Sequence, residues 1–90
     1  MATIVVNKLA EQLFEVQIEA ASSTVHRVTV TPEYAHHLSQ GQFDAQELVR
    51  RSFEFLLLRE PNTSILRSFD LSVISRYFPE FERAIAQSAK

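Results

Sequence analysis

Glu33, His36 and His37 lie within about one helical turn, and a carboxylate beside two imidazoles is a ligand set that suits zinc. Adjacent His36 and His37 diverge by about 100° on a helix, so they cannot both address one ion. Glu33 and His37, at i and i+4, share a face, but two ligands do not close a site, and no metal is expected there. His26 shares a strand face with Val28 and Val30 and is expected to be a partly buried histidine at a sheet edge. Nine serines supply hydroxyls, yet no motif sets one on a strained turn beside a base. The carboxylate pairs Glu80 with Glu82 and Asp44 with Glu47 fall where helices begin and complement the macrodipole there. Gly41 is the only glycine, too little for a loop that cradles phosphate on backbone amides. The chain has no cysteine, which removes thiolate nucleophiles, disulfides and cysteine-based metal sites. Neither an enzyme nor a bound cofactor is expected.

Ninety residues with 46% hydrophobic content and seven phenylalanines make one small domain able to build a core without staples. A net charge of −2 and a pI near 5.9 disfavour a nonspecific nucleic-acid binder, since phosphate neutralisation needs clustered Lys and Arg. The seven arginines are scattered instead. Met1 to Lys8 has no basic segment ahead of an apolar stretch, and no run approaches the ~18 apolar residues of a membrane span. The expected address is the cytoplasm.

The elements that must position these groups follow from periodicity. Thr3 to Asn7 and Leu13 to Ala20 read as strands, the second alternating Phe14, Val16 and Ile18 against Glu15, Gln17 and Glu19. Lys8 to Gln12 is a hairpin loop, and Ala21-Ser22-Ser23 is a second turn. Thr24 to Thr31 is a third strand, with Val28 and Val30 inward and Arg27, Thr29 and Thr31 outward. Thr31 and Pro32 then fit the cap and first position of a helix running to about Ser39, with Gly41 at its left-handed end. Asp44 and Glu47 open the next helix in capping-box spacing, with Phe43 placed to pack on Leu48. That helix, Asp44 to Arg59, is apolar over roughly half its circumference, whereas one buried face needs little more than ~100°. It must lie between two layers or against a partner. Pro61 ends it. Ile65, Leu66 and Phe69 form a buried connection, Asp70 caps a helix from Leu71 to about Tyr77, and Pro79 restarts a last helix towards a frayed, polar end.

Arg27-Val28-Thr29-Val30-Thr31-Pro32-Glu33, a short helix and then the Asp44 to Arg59 helix resemble the ribbon-helix-helix family of DNA-binding proteins over residues 24–60. The resemblance implies a dimeric two-stranded ribbon whose outward side chains enter the major groove, here Arg27, Thr29 and Thr31, with the helix start at Asp44 and Ala45 near a phosphate. The C-terminal half, through Phe53-Glu54-Phe55-Leu56-Leu57-Leu58-Arg59-Glu60-Pro61, Ser64-Ile65-Leu66, Phe69-Asp70-Leu71 and Tyr77-Phe78-Pro79-Glu80-Phe81-Glu82, looks like short bacterial proteins of uncharacterised function, and this resemblance implies no activity.

The expected fold is α+β, a three-stranded antiparallel meander followed by three or four helices covering one face. Tyr77, Phe78 and Phe81 are the expected partner-binding residues, because their segment is the most aromatic in the chain. The expected function is a non-enzymatic interaction or structural protein that self-associates or binds a protein partner, with DNA reading by Arg27, Thr29 and Thr31 as the alternative.

Overall fold

The computed structural model describes residues 2–88. The polar end expected to fray beyond Ser88 lies outside the described residues. β1 (Thr3–Ala10), β2 (Leu13–Glu19) and β3 (Ser23–Thr29) form the antiparallel meander, with Thr3 opposite Glu19 and Leu13 opposite Thr29. A two-residue turn at Glu11 and Gln12 joins the first pair, and a register shift between Lys8 and Ala10 absorbs the missing Asn-Gly geometry.

The sheet has four strands in the order β1-β2-β3-β4, and it is mixed, which corrects the three-stranded antiparallel expectation. β4 (Ser68–Asp70) runs parallel to β3, pairing Arg27 with Ser68 and Thr29 with Asp70. The Arg27 amide donates to the Arg67 carbonyl at 2.7 Å and the Leu71 amide to the Thr29 carbonyl at 2.8 Å. A parallel partner needs a long crossover. Here α1 (Pro32–Ser39), α2 (Ala45–Leu57) and a 3₁₀ turn at Asn62–Ser64 supply it. Three residues are too few to show alternation, so periodicity places residues 68–70 in a connecting segment.

The caps behave as their chemistry requires. The Thr31 hydroxyl accepts the Tyr34 amide at 3.2 Å, and the Asp44 carboxylate accepts the Glu47 amide at 2.9 Å. Glu47 does not reach back to close the capping box, because Arg50 and Arg51 take its carboxylate. Phe43 lies under the Arg51 guanidinium, 4.0 Å from its ring centroid. The turn after α1 places both Gln40 (φ 54°) and Gly41 (φ 73°) in the left-handed region.

The two-sided apolar arc of α2 finds both covers within the chain. Phe53 and Phe55 point about 200° apart on the helix, and the structure uses the two directions separately. Phe53 meets the sheet side, with ring centroids 5.4 Å from His26 and 6.0 Å from Phe69. Phe55 meets the segment after α3 (Val73–Tyr77) and the start of α4 (Phe81–Ser88), 5.9 Å from Phe78 and 5.2 Å from Phe81. The core on the covered sheet face holds Val6, Phe14, Val16, Ile18 and Val28, while the described residues leave the other face of the sheet open.

Candidate functional site

The aromatic segment expected to bind a partner is divided by the fold. Phe81 is fully buried against Phe55, so it is a core residue, which corrects its assignment as a contact residue. The cause is the restart at Pro79: the Phe81 amide returns to the Phe78 carbonyl at 2.9 Å, and α4 begins with its first apolar side chain turned inward. Tyr77 is 69% exposed, and Phe78 is half-buried. Both line an open groove of about 400 Å³.

Buried Leu56, Ile65 and Ile74 and half-buried Phe69, Val73 and Phe78 give the groove its apolar surface. Leu66, 50% exposed, and Tyr77 project beside it. Its polar groups are Glu60, Ser64 and the Tyr77 hydroxyl. The groove therefore joins the end of α2, the connection at residues 64–69 and α3, three stretches brought together only by the crossover to β4. The reading of Ile65, Leu66 and Phe69 as a buried connection holds for Ile65, whereas Leu66 faces out.

A buried polar chain holds this connection in place. His26 is buried on an interior strand, which corrects its expected place at a sheet edge. Its Nδ1 lies 2.7 Å from the Leu66 carbonyl oxygen and its Nε2 2.9 Å from Thr24 Oγ1. A carbonyl can only accept, so Nδ1 carries the proton and Nε2 accepts from the Thr24 hydroxyl. Thr24 in turn accepts from Asn62 Nδ2 at 2.8 Å, and the same amide donates to the Ser22 carbonyl at 2.9 Å. Asn62, Thr24, His26 and Leu66 thus form one directed series, and among the described residues no buried side-chain nitrogen or oxygen lacks a partner. In sequence, the only trace of this series was a histidine in register with two inward valines.

The residues of the DNA-reading alternative are dispersed. Arg27 and Thr29 do lie on the open sheet face, but Arg27 pairs with Glu15 at 3.9 Å across β2 and β3, and the Thr29 hydroxyl donates to Asp70 at 3.0 Å. Thr31 has left the strand and serves as the α1 cap, which corrects its place on the outward strand face. β3 has β2 on one side and β4 on the other, so it offers no free edge along Arg27 to Thr29 for a two-stranded ribbon. Glu15 and Glu19 add negative charge to the same open face.

The shifted ionisations of Tyr34, Asp70 and Glu47 are explained by internal contacts. Burial pushes the Tyr34 hydroxyl upward, and its bond to the Glu82 carboxylate at 2.9 Å adds to the effect. Burial opposes ionisation of Asp70, but the Ser72 hydroxyl and amide and the Thr29 hydroxyl outweigh it and hold the carboxyl below its usual range. The Arg50 and then the Arg51 hydrogen bonds lower Glu47 from 4.5 to about 2. A depressed folded-state value means that these bonds stabilise the protein above pH 4.5 and lose that contribution as pH falls towards 2. With the Glu47 side chain 30% exposed, solvent screening limits this to about 1 kcal/mol. Glu47→Gln is expected to flatten the decline in melting temperature across that window; an unchanged decline would refute it.

Glu33, His36 and His37 are exposed on α1, and among the described residues no three metal-ligating side chains converge. No helix among the described residues is long and apolar enough to cross a membrane. Comparison with protein-family models, with curated proteins and with solved structures finds no match to this chain.

Proposed function

We propose that this protein is a non-enzymatic interaction domain that holds an apolar anchor side chain of a protein partner in the groove between α2, the residue 64–69 connection and α3. The carrying observation is the exposure of Leu66 and Tyr77 beside an open apolar groove of about 400 Å³; the other exposed large apolar side chains, Val5, Leu9, Val25 and Leu58, do not line it. Exposed apolar surface gathered around a concavity is the property of a contact site, since water leaves it at a gain of about 25 cal/mol per Å². Anchor residues in such pockets supply most of the binding energy of an interface. The displaced titrations of Tyr34, Glu47 and Asp70 are accounted for by their own internal partners, and none of the three lines the groove. That supports binding over chemistry as its role.

The test is selection of peptides from a displayed random library on the immobilised protein, with Leu66→Glu as the counter-target. Selected peptides are expected to carry an aromatic or branched aliphatic anchor and to bind Leu66→Glu more than about tenfold more weakly. Stability should stay within about 0.5 kcal/mol, because Leu66 is a surface position. Peptides that bind both proteins equally, or a selection that enriches nothing, would overturn the reading.

A further inference from the structure

A second surface, remote from the groove in the strand order, carries a different inference. β1 is an edge strand of eight residues, while the opposite edge, β4, has three. The direction of its backbone groups follows from the ladder. The Val30 amide bonds the Gln12 carbonyl at 3.0 Å, so residues of β2 in phase with Gln12 turn towards β3, and Glu15, Gln17 and Glu19 turn towards β1. Their register partners Asn7, Val5 and Thr3 therefore face β2, and Ile4, Val6 and Lys8 face away from the sheet. The contact of Gln46 agrees with this phase: from α2, its Nε2 reaches the Val6 carbonyl at 2.7 Å.

Such an edge is a template for another strand. β1 contains no proline or glycine and a single charge, Lys8. We infer that β1 pairs antiparallel with β1 of a second copy about a two-fold axis at Val6, joining two four-stranded sheets into one of eight strands. This register sets Ile4 opposite Lys8 and Val5 opposite Asn7, so the regular stretch that ends at the register shift after Lys8 pairs with itself and no like charges meet. Same-face residues meet throughout, as a continuous sheet requires. Val5, 42% exposed, gains a cross-strand neighbour on the open face.

The flank of α2 above this edge suits a copy of itself. Val6, Asp44, Gln46, Glu47 and Arg50 line a cleft of about 270 Å³ there. Glu47 is already held by Arg50 and Arg51, and the Asp44 carboxylate accepts the Glu47 amide, so each carboxylate of the flank has a partner within its own copy. The Gln46 amide is the occupant that the second strand displaces, and the Val6 carbonyl exchanges one donor for another. Self-pairing is favoured over capture of an unrelated strand because this one register satisfies length, facing and charge together.

The test is mass by light scattering from micromolar to millimolar concentration, with amide hydrogen exchange followed residue by residue. The expected result is a monomer-dimer equilibrium in which the amides of Ile4, Val6 and Lys8 gain protection as dimer forms, while those of Val5 and Asn7 are protected throughout. Lys8→Pro removes an outward amide without touching a β2-facing one and is expected to weaken the dimer more than about tenfold, whereas Lys8→Ala keeps the amide and the dimer. A monomer at every concentration would overturn the inference, as would a dimer whose outward β1 amides stay unprotected. If Lys8→Pro fails to fold, the wild-type exchange pattern still decides. A dimer lost in Leu66→Glu with β1 unprotected would move self-association to the groove, and a failed peptide selection leaves this test unaffected.

Discussion

Phe81→Asp is expected to unfold the protein and not to detach a partner from a folded one. The side chain is fully buried, and its ring meets Phe55 edge-on at 5.2 Å in the layer where α4 covers α2. Removing a buried phenylalanine costs about 3–5 kcal/mol, and a carboxylate left there without a hydrogen-bond partner adds several more. The total approaches the whole stability of a domain this size, about 5–13 kcal/mol at the usual value per residue. Phe81→Leu, which keeps the apolar contact and much of the volume, is expected to cost about 1–2 kcal/mol. Urea unfolding followed by circular dichroism measures both. A folded Phe81→Asp protein with an unshifted midpoint would show that Phe81 is outside the core. The comparison also warns against reading lost assembly in that variant as loss of a contact surface; Tyr77 and Leu66 are the positions that report on one.

His26→Leu is expected to cost about 2–3 kcal/mol although it makes the core more apolar. The change removes the donor to the Leu66 carbonyl, 2.7 Å from Nδ1, and the acceptor of the Thr24 hydroxyl; a buried polar group left unpaired costs about 1–3 kcal/mol, and because both groups are only part-buried each falls at the low end of that range. The series predicts coupling as well. Thr24→Val alone deprives both Nε2 and the Asn62 amide of a partner, whereas in the His26→Leu background it removes a hydroxyl that has already lost its acceptor. The second substitution should therefore cost about 1 kcal/mol less in that background. Full additivity in urea unfolding would mean that the residues act independently. Because Leu66 projects beside the groove, His26→Leu should also weaken the selected peptides, linking a buried polar series to a surface site.

Much of the local structure was legible. Alternation in Leu13 to Ala20 exposed a strand with one wet face, and Thr31-Pro32 and Asp44 marked helix starts whose caps form as their side chains allow. The excess apolar arc of α2 requires a second layer or a partner, because a helix cannot leave that much apolar surface in water, and the fold supplies the second layer from the segment after α3 and from α4. β4 was not legible: Ser68, Phe69 and Asp70 become a strand only by meeting Arg27, Val28 and Thr29, some forty positions earlier. Its absence from the expected fold misplaces His26: without β4, β3 is the edge of the meander and His26 lies on that edge.

The aromatic segment shows the same limit at the candidate site. Tyr77, Phe78 and Phe81 look alike as a composition, and their separation into one exposed, one half-buried and one buried ring depends on the break at Pro79 and on the position of Phe55. The groove has no sequence signature, since its walls come from three stretches of chain and its apolar residues are indistinguishable from core residues in periodicity.

By itself, the sequence determined the quantities that depend on near neighbours: the alternation of the meander, the caps, the two-faced character of α2 and the absence of thiol chemistry. The tertiary structure decided which apolar residues stay in contact with water, which strand is interior and which strand keeps an open edge. Those outcomes depend on which distant segment arrives to cover a surface, and the free energy of that arrival is a property of both surfaces together, which local pattern does not encode.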